Sequence, residues 1–104
     1  MDDIFVQFQG FRPGEFTRSH LEGKLNELHS KSPYGSIVRA IFTRNGDRLK
    51  ATLRIMSSVG TFEAFSEGQR LNDVSRRLFK QVLNKIDRWK ATRYRRNFHD
   101  PSLA

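Results

Sequence analysis

Two stretches of alternating apolar and polar residues meet at Asn45-Gly46. Asn-Gly is the strongest short-range hairpin signal, because a type I′ turn needs positive φ at both central residues. On the incoming side, from Ile37 to Thr43, the residues Val38, Ala40 and Phe42 share one face, and Ile37, Arg39 and Ile41 share the other. On the returning side Leu49, Ala51, Leu53 and Ile55 lie on one face, with Lys50, Thr52 and Arg54 opposite. Alternation of this kind predicts a sheet with one buried face and one wet face. Such a sheet needs a second layer over its apolar side.

The remaining elements follow from the same reading. Ser57-Ser58-Val59-Gly60 turns the chain into a shorter strand, Thr61 to Phe65, closed by Ser66-Glu67-Gly68-Gln69. Near the N-terminus Ile4, Val6 and Phe8 alternate with Phe5, Gln7 and Gln9, which predicts a strand broken by Gly10 to Gly14. A helix follows, with Thr17 or Ser19 as its cap and Phe16 at its entrance. Its Leu21, Leu25 and Leu28 form one narrow apolar stripe, weakened slightly by Gly23. Ser30 to Gly35 is a loop. A second helix, capped by Asn72 or Asp73, runs from about Asn72 to at least Trp89 and on toward Tyr94. Leu71, Val74, Leu78, Val82, Ile86 and Trp89 recur at three- and four-residue spacing, and Phe79 and Leu83 widen the stripe.

The element order is β-α-β-β-β-α. Two amphipathic helices on one face of a four-stranded sheet make a two-layer α+β sandwich. We expect one domain over residues 1–96 and a flexible tail over residues 97–104.

Charge is distributed unevenly over this frame. From Arg76 to Arg96 there are nine basic residues, Arg76, Arg77, Lys80, Lys85, Arg88, Lys90, Arg93, Arg95 and Arg96, and one acid, Asp87. That +8 equals the formal charge of the whole chain, so the rest cancels. Like charges one helical turn apart repel, and sorting them this way has a cost. A solvated face explains a single Lys or Arg. The confinement of the whole excess to one segment points instead to a polyanion, most often nucleic acid.

Other chemistries find little support. There is no cysteine, which removes disulfides, thiolate zinc sites and cysteine nucleophiles and fits a reducing cytosol. His20, His29 and His99 have no metal-ligand spacing among themselves or with acids, and we assign them structural roles or solvent contact. The carboxylates are scattered, and no glycine-rich phosphate loop follows a strand. No catalytic, metal or cofactor site is expected. The Met-Asp-Asp start lacks a signal-peptide pattern, and no apolar run could cross a bilayer. The expectation is a soluble cytoplasmic protein, monomeric when free.

Three stretches, in order along nearly the whole chain, carry a resemblance. They are Ser19-His20-Leu21-Glu22-Gly23-Lys24-Leu25-Asn26-Glu27-Leu28, then Lys50-Ala51-Thr52-Leu53-Arg54-Ile55 with Phe62-Glu63-Ala64, and then Asn84-Lys85-Ile86-Asp87-Arg88. The chain resembles the bacterial ribosome-hibernation factors, meaning the ribosome-associated translation inhibitors and short hibernation-promoting factors. The resemblance implies the β-α-β-β-β-α fold and binding to small-subunit rRNA in the channel of mRNA and the tRNA anticodon ends. It also implies inhibition of translation and promotion of hibernation under stress or in stationary phase. Ribosomal proteins are possible further partners.

Physical chemistry nominates the contact residues. Arginine offers a planar fork for phosphate and lysine a compact charge. On the second helix Arg76, Arg77, Lys80, Asn84 and Arg88 follow spacings of three or four and share a stripe beside the core. Lys85 and Arg88 match the family's lysine and arginine, and Lys90, Arg93, Arg95 and Arg96 continue the charge. The wet sheet face adds Arg39, Lys50 and Arg54, with Arg44 and Arg48 flanking the hairpin turn. Phe5, Phe8, Phe42, Phe62 and Trp89 fit core positions. Phe11, Tyr34, Tyr94 and Phe98 lie at element ends and are open to RNA. Two alternatives stand beside this reading. One is a double-stranded-RNA-binding module, which shares the α-β-β-β-α core. The other is a non-enzymatic interaction domain whose basic helix meets an acidic protein or a membrane surface.

Overall fold

In a computed structural model, the backbone is described for residues 3–98 and the side chains for residues 3–92. The elements are β1 (Ile4–Gln9), α1 (Glu15–Lys31), β2 (Ile37–Asn45), β3 (Arg48–Ser57), β4 (Gly60–Gly68) and α2 (Leu71–Phe98). This is the β-α-β-β-β-α order expected. The strands lie side by side in sequence order; β1 pairs parallel with β2, and the other two pairings are antiparallel. Parallel pairing of consecutive strands needs a long crossover, and α1 supplies it.

The register turns the alternation into rows across the sheet. Ile4, Val38, Ile55 and Phe62 form one row; Val6, Ala40, Leu53 and Ala64 the next; Phe8, Phe42, Ala51 and Ser66 a third. All point to the same side, where the helices lie. Ala40, Ala51 and Ala64 are small, which leaves room for the helices above them. Helix α2 packs on β3 and β4, and α1 packs on β1, β2 and α2. Val74, Leu78, Val82 and Ile86 of α2 are fully buried, as is Leu25 of α1 with Leu21 and Leu28 beside it. Burying each such side chain stabilises by about 1.5–3 kcal/mol before the ordering entropy is counted. Phe42 stacks on Phe8 at 5.5 Å between centroids, and Phe11 meets Phe8 edge-on at 5.6 Å.

Several local expectations are corrected. The hairpin forms, but Asn45 pairs with Arg48, so the central turn residues are Gly46 and Asp47. Of these two only Gly46 has positive φ (+66°), and no non-glycine residue does among the described residues. That is the pattern of a glycine-first type II′ turn, not the type I′ turn read from Asn45-Gly46. Moving the turn by one residue keeps every side chain on its face, so alternation could not choose between the two. Strand β4 also runs three residues beyond Phe65, because Ser66 is inward and buried and Glu67 and Gly68 pair with Lys50 and Leu49.

Neither helix uses the caps expected for it. Helix α1 starts at Glu15 with Gly14 at the N-cap and no side-chain cap bond, which places Thr17 and Ser19 inside the helix. The Arg18 amide donates to the Gly14 carbonyl at 2.9 Å, and Glu15 sits in the first turn, where the helix dipole favours a carboxylate. In α2 the Val74 amide donates to the Arg70 carbonyl at 3.0 Å, so Asn72 and Asp73 are first-turn residues. Phe16 is 86% exposed and takes no part in the stripe. Helix α2 continues past Tyr94 to Phe98, which takes in Asn97 and Phe98 from the expected tail; residues 99–104 of that tail lie outside the described residues.

Phe65 belongs to the opposite face of the sheet from Phe42, and the two should differ in what truncation costs. Phe42→Ala should destabilise by about 3–5 kcal/mol, because its site in the core cannot collapse. Phe65→Ala, on the open face, should cost under about 1 kcal/mol. Urea unfolding of both variants checks the contrast.

Candidate nucleic-acid interface

Both helices cover one face of the sheet, which leaves the polar flanks of the helices and the bare face of the sheet exposed; the basic residues lie mostly on α2 and on that bare face. The flanks of α2 do different things. Arg77, Gln81 and Lys85 are four residues apart and project from one side of the helix onto β4, a strand at the edge of the sheet. Arg77 Nη2 donates to the Glu67 carbonyl at 2.7 Å, Gln81 Nε2 to the Phe65 carbonyl at 2.9 Å and Lys85 Nζ to the Glu63 carbonyl at 2.5 Å. The Phe65 amide donates back to Gln81 Oε1 at 3.4 Å. These side chains satisfy backbone groups that an edge strand would otherwise offer to another chain.

The stripe expected on α2 is therefore divided. Arg77 and Lys85 each have a structural bond to β4, although the guanidinium and ammonium groups retain other donors. Arg76 turns to Asp73, with Nη2 2.7 Å from Oδ1. Lys80 lies on the α1 side, beside Lys24, Glu27 and Lys31. Lys80, Asn84, Arg88 and Lys90 are exposed and have no hydrogen-bond or ion-pair partner among the described residues. The side chains of Arg93, Arg95 and Arg96, with those of Tyr94 and Phe98, lie outside the described residues. Gln81 was missed in the sequence because it carries no charge; its only signal is the even spacing with Arg77 and Lys85.

On the open face, one row reads Phe5, Arg39, Arg54 and Glu63 from β1 to β4. Arg54 places Nη2 2.7 Å and Nε 2.9 Å from the same Glu63 carboxylate oxygen. The Arg39 guanidinium lies 5.7 Å from the Phe5 ring centroid, a cation–π contact, and has no carboxylate partner among the described residues. Phe5 is 42% exposed, which corrects its assignment to the core: odd-numbered β1 residues face away from the helices. Among the described residues Lys50 is exposed without an ion partner, while Arg48 reaches Glu67 at 3.5 Å. An open hollow of about 630 Å³ lies between Arg39, Arg54, Phe65, Gln81 and Lys85, joining this face to α2 around the β4 edge.

Other nominated groups take structural places. Arg44 donates to the Gln69 carbonyl at 3.0 Å and lies 5.6 Å from the centroid of Phe11, which is half-buried against Phe8. Trp89 meets Phe62 edge-on at 6.1 Å, as its place on the apolar stripe implied. Tyr34 is fully exposed. His29 Nε2 is 2.9 Å from the Ser36 carbonyl and ties the loop after α1 to its helix, whereas His20 is exposed. Among the described residues no group of three or more His, Asp or Glu side chains is arranged to hold a metal ion, and no helix is long and apolar enough to cross a membrane.

A mixed four-stranded sheet with both helices on one face, one edge closed by helix side chains and the other face bare, defines the class of domain. Comparison with solved structures places it further. The N-terminal domain of Thermus thermophilus Protein Y superposes with a TM-score of 0.72 at 15% identity, covering 86% of this chain and 99% of that one. A ribosomal subunit interface protein from Coxiella burnetii superposes with a TM-score of 0.69 at 20% identity, covering 85% of this chain and 97% of that one. At these identities the likeness is one of fold. Comparisons with family models and with curated proteins each gave no match.

Gln81→Ala should remove both bonds to Phe65 and destabilise by about 0.5–1.5 kcal/mol. It should also promote concentration-dependent self-association through the opened β4 edge. Analytical ultracentrifugation over a concentration series, alongside urea unfolding, measures both effects.

Proposed function

We propose that this chain binds the small ribosomal subunit through its rRNA, in the channel used by mRNA and the tRNA anticodon ends. In that position it inhibits translation and promotes ribosome hibernation. The observation that carries this reading is the set of exposed cations without partners among the described residues, Lys80, Arg88 and Lys90, in the segment from Arg76 to Arg96 whose charge equals that of the whole chain. A fold shared with a ribosomal subunit interface protein supports it. The channel and the hibernation role rest on the family resemblance. Folded rRNA offers phosphates and grooves, so backbone contacts made by arginine and lysine would outweigh base readout. The protein acts by occupancy, without catalysis or cofactor, in the cytoplasm and as a monomer when free, with ribosomal proteins as possible further contacts. It takes residues 1–96 as the ribosome-binding unit.

The roles differ along α2. Lys80, Asn84, Arg88, Lys90, Arg93, Arg95 and Arg96 act on RNA, as do Arg39, Lys50 and Arg54 on the sheet. Arg76, Arg77 and Lys85 add charge while bonded to Asp73 and β4. A variant meant to test RNA contact therefore leaves Arg77 and Lys85 intact.

Sucrose-gradient sedimentation with purified ribosomes tests the reading. The chain should co-migrate with the small subunit at physiological salt, and Lys80→Glu/Arg88→Glu/Lys90→Glu should not. If each side chain meets one phosphate, that triple variant should lower the slope of log K against log salt by roughly 2–3. A protein left at the top of the gradient at physiological salt sinks the proposal. Equal affinity for any RNA duplex, without preference for ribosomes, would favour a general double-stranded-RNA-binding module. Nuclease-resistant capture by an acidic protein would favour an interaction domain.

A further inference from the structure

The bare face of the sheet carries an arrangement that helix charge alone does not explain. Arg39 and Arg54 are direct cross-strand partners in the two central strands. Like charges placed opposite each other destabilise a sheet. Among the described residues only Arg54 has a carboxylate, Glu63; Arg39 has an aromatic ring. An anion lying on this face would relieve the pair. Two exposed rings flank it: Phe5 on β1 and Phe65, 52% exposed, on β4. Two adjoining hollows connect them. One, of about 340 Å³, is lined by Phe5, Gln7, Arg39 and Ile41. The larger, of about 630 Å³, shares Arg39 and Ile41 and reaches Phe65, Gln81 and Lys85. Together they form a shallow diagonal track across all four strands, with cations at its middle and at its β4 end.

We propose that this track takes single-stranded nucleic acid. One base stacks on Phe5 and another on Phe65, and the backbone between them lies on Arg39 and Arg54, with Lys85 receiving the phosphate at the β4 edge. Three strand spacings separate the rings across the sheet, about 14 Å, which suits a short run of nucleotides and not one base. Stacking on aromatic rings tolerates any base because every base has a π-face, and arginine adds charge and a planar surface. A duplex fits poorly, since its bases are already stacked on each other. A protein partner fits less well too, because cores of protein interfaces are depleted in charge and this track has paired guanidinium groups at its centre. The inference rests on the RNA-binding reading above and specifies the form of RNA that the sheet contacts.

Fluorescence anisotropy with a labelled oligouridylate, and with the same strand annealed to oligoadenylate, tests it. The single strand should bind more tightly than the duplex. Phe5→Ala and Phe65→Ala should each weaken single-strand binding by about fivefold or more, with thermal midpoints near that of the parent. Arg39→Gln should reduce both affinity and its salt dependence. Equal or tighter duplex binding overturns the proposal. So does oligouridylate binding untouched by both phenylalanine variants but lost in Lys80→Glu/Arg88→Glu/Lys90→Glu, because RNA then lies on α2 alone. If the phenylalanine variants lose ribosome co-sedimentation yet bind oligouridylate normally, the face docks a protein and the inference fails. Failure of the ribosome reading is separate: the chain would then stay at the top of the gradient while binding oligouridylate through Phe5 and Phe65.

Discussion

Helix α2 is held against the sheet in two ways at once. Val74, Leu78, Val82 and Ile86 sit in the core over β3 and β4, while Arg77, Gln81 and Lys85 bond the outward carbonyls of β4. The apolar contacts supply most of the stabilisation, since a single hydrogen bond adds only about 0.5–1.5 kcal/mol net. The polar contacts set how the helix is turned about its axis. With Arg77 and Lys85 tied down on one side and Arg76 drawn to Asp73, Lys80, Arg88 and Lys90 are left exposed. The surface available to a polyanion is thus a consequence of how α2 closes the sheet edge.

The same packing accounts for the bare face. Both helices cover the side defined by Val38, Ala40 and Phe42, so no described element lies over the Arg39 side. A sheet face that nothing covers must tolerate water, and Arg39, Lys50, Thr52 and Arg54 do so. Phe5 and Phe65 are the exceptions. Exposed singly, an aromatic residue needs no explanation. Paired across a track centred on two opposed arginines, they have a chemical use.

The layered fold was readable from periodicity. Alternation placed Val38, Ala40, Phe42, Leu49, Ala51, Leu53 and Ile55 on one face, and spacing of three and four placed Leu21, Leu25, Leu28, Val74, Leu78, Val82 and Ile86 in the core; all of these are buried, while Leu71, Phe79, Leu83 and Trp89 of the α2 stripe are half-buried at its margin. Local details were less readable. Thr17, Ser19, Asn72 and Asp73 have good capping chemistry, yet the helices begin at Glu15 and Leu71, because helix starts depend on where the chain arrives from the sheet. The turn centred on Gly46 and Asp47 depends on the match between β2 and β3 over their whole length. Phe5 looked like core by composition, although its odd position in β1 put it with Gln7 and Gln9.

By itself, then, the sequence determined the order of elements, the buried faces and the segregation of positive charge onto the last helix. Each follows from a period along the chain or from a count of charges. Only the tertiary structure decided which charges are available. Whether Arg77 meets solvent or the Glu67 carbonyl depends on the rotation of α2 over β4, and whether Arg39 faces Arg54 depends on strand register. Those relations join residues far apart in the chain through packing and hydrogen bonds, and no local pattern encodes them.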